Sequence, residues 1–245
     1  MVELEICANS IQSALNAQEG GASRVEFCDN MAEGGTTQSY GQIAVAKQLL
    51  DIPIYPIIRP RGGDFLYSDL EFEVMKADVM ACRDLQCAGV VFGILQIDGC
   101  IDVERCRILK ELAAPMPVAF HRAFDLTENM EEALETLIDL GFERVLSSGG
   151  AETARAGATR LALLIKQAGS RIQVMPGAGI RPENVMELLG LTSAKAVHAS
   201  LSVAAISEMS FRNNQASMSS GIDAYAFSQT SLHQVRETVA LLDQD

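Results

Sequence analysis

The sequence lacks the features that mark several classes of protein. Its 19 lysines and arginines stand against 32 aspartates and glutamates, a formal net charge of −13. No basic patch runs along the chain, so the electrostatic footprint of a nucleic-acid-binding domain is absent. No segment approaches the roughly 20 apolar residues of a membrane span. The opening MVELEICANS carries acids where a secretory leader carries lysines, and no long apolar run follows it. The expectation is a cytoplasmic protein with neither nucleic-acid nor membrane partners.

Other absences narrow the fold. No G-x-G-x-x-G follows the first apolar segment, which weighs against a doubly wound dinucleotide fold. No C-x-x-C occurs among the six cysteines at 7, 28, 82, 87, 100 and 106. In a reducing compartment these are thiols or metal ligands rather than disulfides. No Gly/Ser/Pro linker or charge block divides the chain. With 48% hydrophobic residues it reads as one domain over residues 1–245.

What is present is a steady beat of short apolar segments. Strands are expected at 3–7, 24–28, 52–59, 89–95, 117–121, 144–148, 172–176 and 196–200. Helical periodicity fills the intervals, clearest in MEEALETLIDLGF, where Met130, Leu134, Leu137 and Ile138 share a face and Gly141 marks the stop. Ser10, Asp69, Asp102 and Asn129 are expected N-caps. Eight such beats in about 250 residues predict an α/β fold, a single (β/α)8 TIM barrel. A long loop, about 201–230, should separate strand eight from a final helix near 231–242. A loop that long is usually functional or disordered.

Strand alternation then sorts the side chains. In LEIC and VEFC, Leu4, Ile6, Val25 and Phe27 fall on the face that helices cover. Glu5, Cys7, Glu26 and Cys28 fall on the pore face. The same parity turns His121, His198 and Ser200 inward, while Val118, Phe120 and Val197 face out. A barrel interior is normally branched and apolar. Here acids, thiols and imidazoles collect late in their strands, at the C-terminal mouth where barrel enzymes keep their sites. Glu26, His121, His198 and Asp125 are therefore catalytic candidates. Glu5 also reads as a structural acid balanced by a buried arginine. Cys7 and Cys28 end adjacent strands about 4.8 Å apart, as a shared metal pair or as two small buried thiols. The remaining cysteines read as structural.

The stretch IPIYPIIRPRGGDF carries Arg59 and Arg61 out of the third strand. Guanidinium forks suit carboxylate or phosphate. Opposite them, SSGG and PGAGIRPEN follow strands six and seven. Their glycine-rich N–H groups predict an anion nest, with Ser148, Gly149, Gly177 and Gly179 as its residues. The plainer alternative is that these glycines make tight turns and that Arg59 pairs with Glu26.

Together LEIC, VEFC with EGGTT, PIIRPRGGDFLYS, GVVFGILQIDGCID, FHRAFD, LSSGG, MPGAGI, VHAS and RNNQASMSS make the sequence resemble the copper homeostasis protein CutC family. Three positions depart from its pattern. Ser147 replaces a threonine, Gln38 a proline after EGGTT, and Ala196 a glutamate before VHAS. Gln38 is expected to loosen its loop, and Ala196 to remove a polar partner of His198. The resemblance implies a TIM barrel, a cytoplasmic setting, a homodimer, and Cu(I) on the thiols of Cys7 and Cys28. Soft thiolates favour Cu(I), and Met175 would add a thioether if it turned inward.

Two functions compete. One is Cu(I) binding, which needs little beyond the thiols. The other is an enzyme, a lyase, isomerase or hydrolase, acting on a small anionic or phosphorylated metabolite. Arg59 and Arg61 would hold the anion, and Glu26, His121 and His198 would move protons. No strand ends in a well-placed lysine, which weighs against a Schiff-base aldolase. The loop after strand eight would close the mouth or reach across a dimer, bringing Arg212 and Asn213 to the site.

Overall fold

The computed structural model describes residues 2–213, 215 and 223–243. Each expected strand forms: β1 (Glu3–Ala8), β2 (Arg24–Phe27), β3 (Ile54–Pro56), β4 (Val90–Phe92), β5 (Val118–Phe120), β6 (Arg144–Ser147), β7 (Gln173–Pro176) and β8 (Ala196–Ala199). They pair in parallel as two arcs, β3-β2-β1-β8 and β4-β5-β6-β7. Single parallel bridges, Ile57 with Val91 and Gly177 with His198, join the arcs into a ring. Helices α1 (Ile11–Glu19), α2 (Tyr40–Leu49), α3 (Asp69–Asp84), α4 (Val103–Ala113), α5 (Met130–Asp139), α6 (Ala158–Ala168), α7 (Pro182–Thr192) and α8 (Leu232–Leu242) follow successive strands. The fold is a (β/α)8 TIM barrel.

The alternation in the strands decides what fills the ring. Leu4, Ile6, Val25, Phe27, Val118, Phe120 and Val197 pack outward into the main core beneath the helices. The pore holds two small separate clusters. One joins Cys7, Cys28, Tyr55, Ile57, Val91 and Ala119, and the other Leu146, Met175 and Ala196. Phe92 and Phe120 both meet Phe142 edge-on, at 5.6 and 5.4 Å between centroids. Each buried phenylalanine stabilises the shell by roughly 1.5–3 kcal/mol.

Helix starts follow the capping residues. Ser10, Asp102 and Asn129 accept the N–H three residues on. Asp69 does not cap α3. Ser68 does, in a reciprocal box with Glu71, and Asp69 becomes the first helical residue, where its charge faces the dipole's positive end. No helix among the described residues is long and apolar enough to cross a membrane.

The segment after β8 is not a plain loop. Strands β9 (Ser202–Ile206) and β10 (Ala226–Thr230) form an antiparallel ribbon. Its root is held on α1, where Asn16 Nδ2 donates to the Thr230 carbonyl at 2.8 Å and Thr230 N donates to Ser13 Oγ at 3.1 Å. Val203, Ile206, Met209, Phe211 and Phe227 stand exposed on it. Most of the RNNQASMSS block lies outside the described residues. Its Arg212 rests over the Tyr225 ring at 5.1 Å, within the ribbon's own connection.

Gly177 has a packing role rather than the expected anion role. It sits at the β7–β8 seam, donating its N–H to the Ser147 carbonyl at 2.9 Å. A Cβ there would lie 2.5 Å from Leu146 Cδ1 and 3.3 Å from His198 Cβ. Gly177→Ala should therefore lower unfolding free energy by about 1–3 kcal/mol, read as a shift in urea midpoint at unchanged slope.

Candidate functional site

The C-terminal mouth opens into a cavity of about 490 Å³ lined by residues from β1, β2, β6 and β8 and from the loops after β2, β3, β5, β7 and β8. Its floor is ionic. Glu5, 1% exposed, accepts from the Arg24 guanidinium and from His198 Nδ1, the latter at 2.7 Å. Burial alone would raise the Glu5 pKa. The charges of Arg24 and His198 outweigh burial and hold it at about 2. Glu5 is thus a structural acid. For His198, burial opposes the charged ring, but Glu26 and Glu5 outweigh it and the pKa rises. Glu26 moves up as well, because its burial outweighs the attraction of His198. Ala196, where the resemblance led to the expectation of a lost polar partner, does not leave His198 without one, since Glu5 takes that part from β1.

Beside this layer lies a set of three sulfurs. Cys7 Sγ is 3.3 Å from Cys28 Sγ and 3.5 Å from Met31 Sδ, and Cys28 Sγ is 3.2 Å from Met31 Sδ. Met31 begins a 3-10 turn, Met31–Glu33, three residues after Cys28. Sequence reasoning overlooked it, although CDNM places a thioether in reach of the second thiol. Met175, the expected thioether, packs instead with Leu146 and Ala196, and its sulfur faces Arg144 at 3.8 Å. The Cys28 hydrogen bond, then burial and Glu26 push the Cys7 pKa well above the ordinary thiol range. Cys7 Sγ, a Glu26 oxygen and a His198 ring nitrogen also lie within 4.8 Å of one another.

Local sequence keeps this sulfur pocket open. Gly35 has φ +92°, and a Cβ there would come within 3.3 Å of Cys28 Cβ. Gln38 does not loosen the loop. It is buried, and its Nε2 donates to the carbonyls of Cys28 and Asn9 at 2.8 and 3.1 Å. The remaining cysteines are not part of the site: Cys82, Cys87 and Cys106 pack in the helix-facing core, and Cys100 is exposed.

The two arginines of the RPRGG stretch part company. Arg59 is buried and does not pair with Glu26. It donates to the carbonyls of Glu33, Gly35 and Gly63 at 2.6, 2.7 and 2.7 Å, stapling two mouth loops together. Arg61 lies outside the cavity, tied to Glu71 at 2.6 Å and Asp64 at 2.9 Å. The expected anion nest at SSGG is filled from within. The N–H groups of Ser148 and Gly150, with the hydroxyls of Ser147 and Ser148, donate to the Asp125 carboxylate. Gly149 N donates to Ser147 Oγ at 2.8 Å, and Arg122 pairs with Asp125 at 2.8 Å. Gly179, with φ +73°, remains on the cavity wall.

His121 caps the 3-10 turn Arg122–Leu126, its Nδ1 accepting the Ala123 N–H at 3.2 Å. The proton of the neutral ring therefore sits on Nε2. Burial, then the Arg59 charge, lower the His121 pKa to about 3. That makes it a fixed donor at the mouth rather than a general base. Below pH 6.5 an unfolded histidine takes up a proton that folded His121 refuses, so stability falls with pH from 6.5 towards about 3. The slope approaches about 1.4 kcal/mol per pH unit. His198, with a raised pKa, acts on the other side of 6.5, where its contribution is lost as pH rises. Urea unfolding between pH 6.5 and 5 should show the His121 slope, and His121→Gln should flatten it.

The chain that builds this mouth is similar over nearly its whole length to known proteins. A model of the CutC family matches residues 2–203. A family protein CutC from Chromobacterium violaceum is 52% identical over 242 residues, 98% of each chain. A copper homeostasis protein cutC homolog from Homo sapiens is 45% identical over 240 residues, 97% of this chain and 88% of that one. The crystal structure of a candidate copper homeostasis protein CutC from Streptococcus agalactiae has a TM-score of 0.78 at 35% identity, covering 82% of this chain and 99% of that one. The matched span holds Cys7, Glu26, Cys28, His121 and His198, and the chain belongs to the CutC family.

Proposed function

We propose that this copper homeostasis protein binds one Cu(I) in the cytoplasm through Cys7, Cys28 and Met31. The observation that carries this is the sulfur triangle, with all three separations between 3.2 and 3.5 Å. Two thiols and a thioether make a soft donor set that suits Cu(I) over harder divalent ions. The pocket is buried, and its elevated Cys7 pKa means that metal binding must displace a proton. Glu26, whose Oε1 lies 3.4 Å from Cys7 Sγ, is placed to receive it.

A second reading rests on His198. Its Nδ1 is oriented by Glu5, an arrangement common behind metal-bound imidazoles, and its Nε2 lies 3.9 Å from a Glu26 oxygen. Cys7, Glu26 and His198 would then suit Zn(II). An anaerobic Cu(I) competition titration separates the two. The copper reading expects one ion per chain, lost in the Cys7→Ser/Cys28→Ser double variant. Met31→Leu should weaken affinity roughly tenfold, about 1.4 kcal/mol, with His198→Gln nearly unchanged. Zinc binding that needs His198 and ignores Met31 would reverse the choice.

We further propose that a second copy docks on the β9–β10 ribbon, giving a homodimer. Val203 and Phe227 are exposed on one face of the ribbon and Ile206 on the other, and Phe211 is exposed on its connection, so apolar side chains stand open on it. Light scattering should give a dimer mass, and Phe211→Ser with Phe227→Ser should give a monomer with unchanged melting of the barrel.

A further inference from the structure

The cavity is far larger than one ion requires. At about 490 Å³ it falls within the range of small-molecule sites. Three of its lining residues each leave a buried polar atom with no partner among the described residues: Arg59 Nε, His121 Nε2 and Glu26 Oε2. Such atoms are rare in native proteins, and each costs about 1–3 kcal/mol when left unmatched. None of the three belongs to the sulfur triangle.

Their chemistry is specific. Arg59 Nε is always a donor. His121 Nε2 is a donor because the Ala123 N–H occupies Nδ1. Both side chains contact one aromatic ring, with the Arg59 guanidinium carbon 4.8 Å from the Phe65 centroid and the His121 ring centroid also 4.8 Å from it. The third atom is a carboxyl oxygen, which pairs with a hydroxyl. Gly93 shows that the His121 position is exacting. A Cβ at Gly93 would lie 2.7 Å from both Cε1 and Nδ1 of the ring. Arg122 and Arg181 also line the cavity, against Glu26, Glu33 and Asp125, so its wall is balanced in charge within a chain of net charge −13.

We propose that the mouth is also the binding site of a small hydroxycarboxylate. Its carboxylate oxygens accept from His121 Nε2–H and Arg59 Nε–H, its hydroxyl meets Glu26, and its carbon skeleton lies against Phe65. No sulfur takes part in this site, although its Glu26 is the carboxyl group that also stands beside Cys7.

The chain has three histidines, so their side-chain nitrogen resonances can be assigned by single substitution. The test titrates the full-length protein, labelled with 15N-histidine, with glycolate, malate and ethylene glycol in turn. The expected result is a saturable downfield shift of the His121 Nε2 proton with glycolate or malate, and none with ethylene glycol. His121→Phe should weaken binding at least tenfold, measured by calorimetry. His121→Gln, which keeps a donor near the same place, should restore most of it. The proposal is overturned if neither acid shifts the His121 resonance, or if the ring proves to carry its proton on Nδ1. It is also overturned if a folded His121→Phe binds with unchanged affinity. Should that variant not fold, the wild-type resonance and the Gln variant decide alone.

Discussion

Glu5 is the constraint on which the rest of the mouth depends. A carboxylate buried in the pore is costly unless it is paired and hydrogen-bonded. Here Arg24 from β2 and His198 from β8 meet it from both sides of β1. That arrangement joins three strands by side chains as well as by the sheet ladder. It turns His198 towards Glu26 and sets the layer on which the sulfurs rest. Removing one member would strand the others as unmatched buried charge, so the layer acts as a unit.

Above that layer the loops are held by backbone contacts. Arg59 spends three donors on carbonyls of two different loops, and Gln38 holds the Cys28 carbonyl. Both side chains fix the segment carrying Cys28 and Met31 relative to Cys7 on β1. The sulfur geometry is therefore held by the protein's own contacts. The same fixed loops leave Arg59 Nε and the His121 donor beside Phe65, so one scaffold serves both the sulfur pocket and the wider cavity.

Much of the architecture was legible in the sequence because it follows from short-range periodicity. Alternation in LEIC and VEFC was enough to turn Cys7, Glu26 and Cys28 into the pore and Leu4 and Phe27 into the shell. The β9–β10 ribbon was not legible, since Ser202–Ile206 and Ala226–Thr230 pair across a polar interval that reads as loop. The polar site was the least legible part. SSGG has the composition of an anion nest, but nothing local shows that Asp125, on the preceding loop, fills it. Arg61 shares parity with Arg59, yet β3 ends at Pro56 and the chain has left the strand geometry on which parity depends, and Glu71 captures the side chain. Met31 was missed because a 3-10 turn, with no strand or helix period, delivers it to the thiols.

The central claim is that three sulfurs hold the metal. X-ray absorption at the copper edge, on protein loaded anaerobically with one Cu(I) per chain, tests it most directly. The account predicts a first shell of sulfur alone, with one sulfur lost in Met31→Leu. A shell containing nitrogen or oxygen, unchanged by Met31→Leu and altered by His198→Gln, would contradict it.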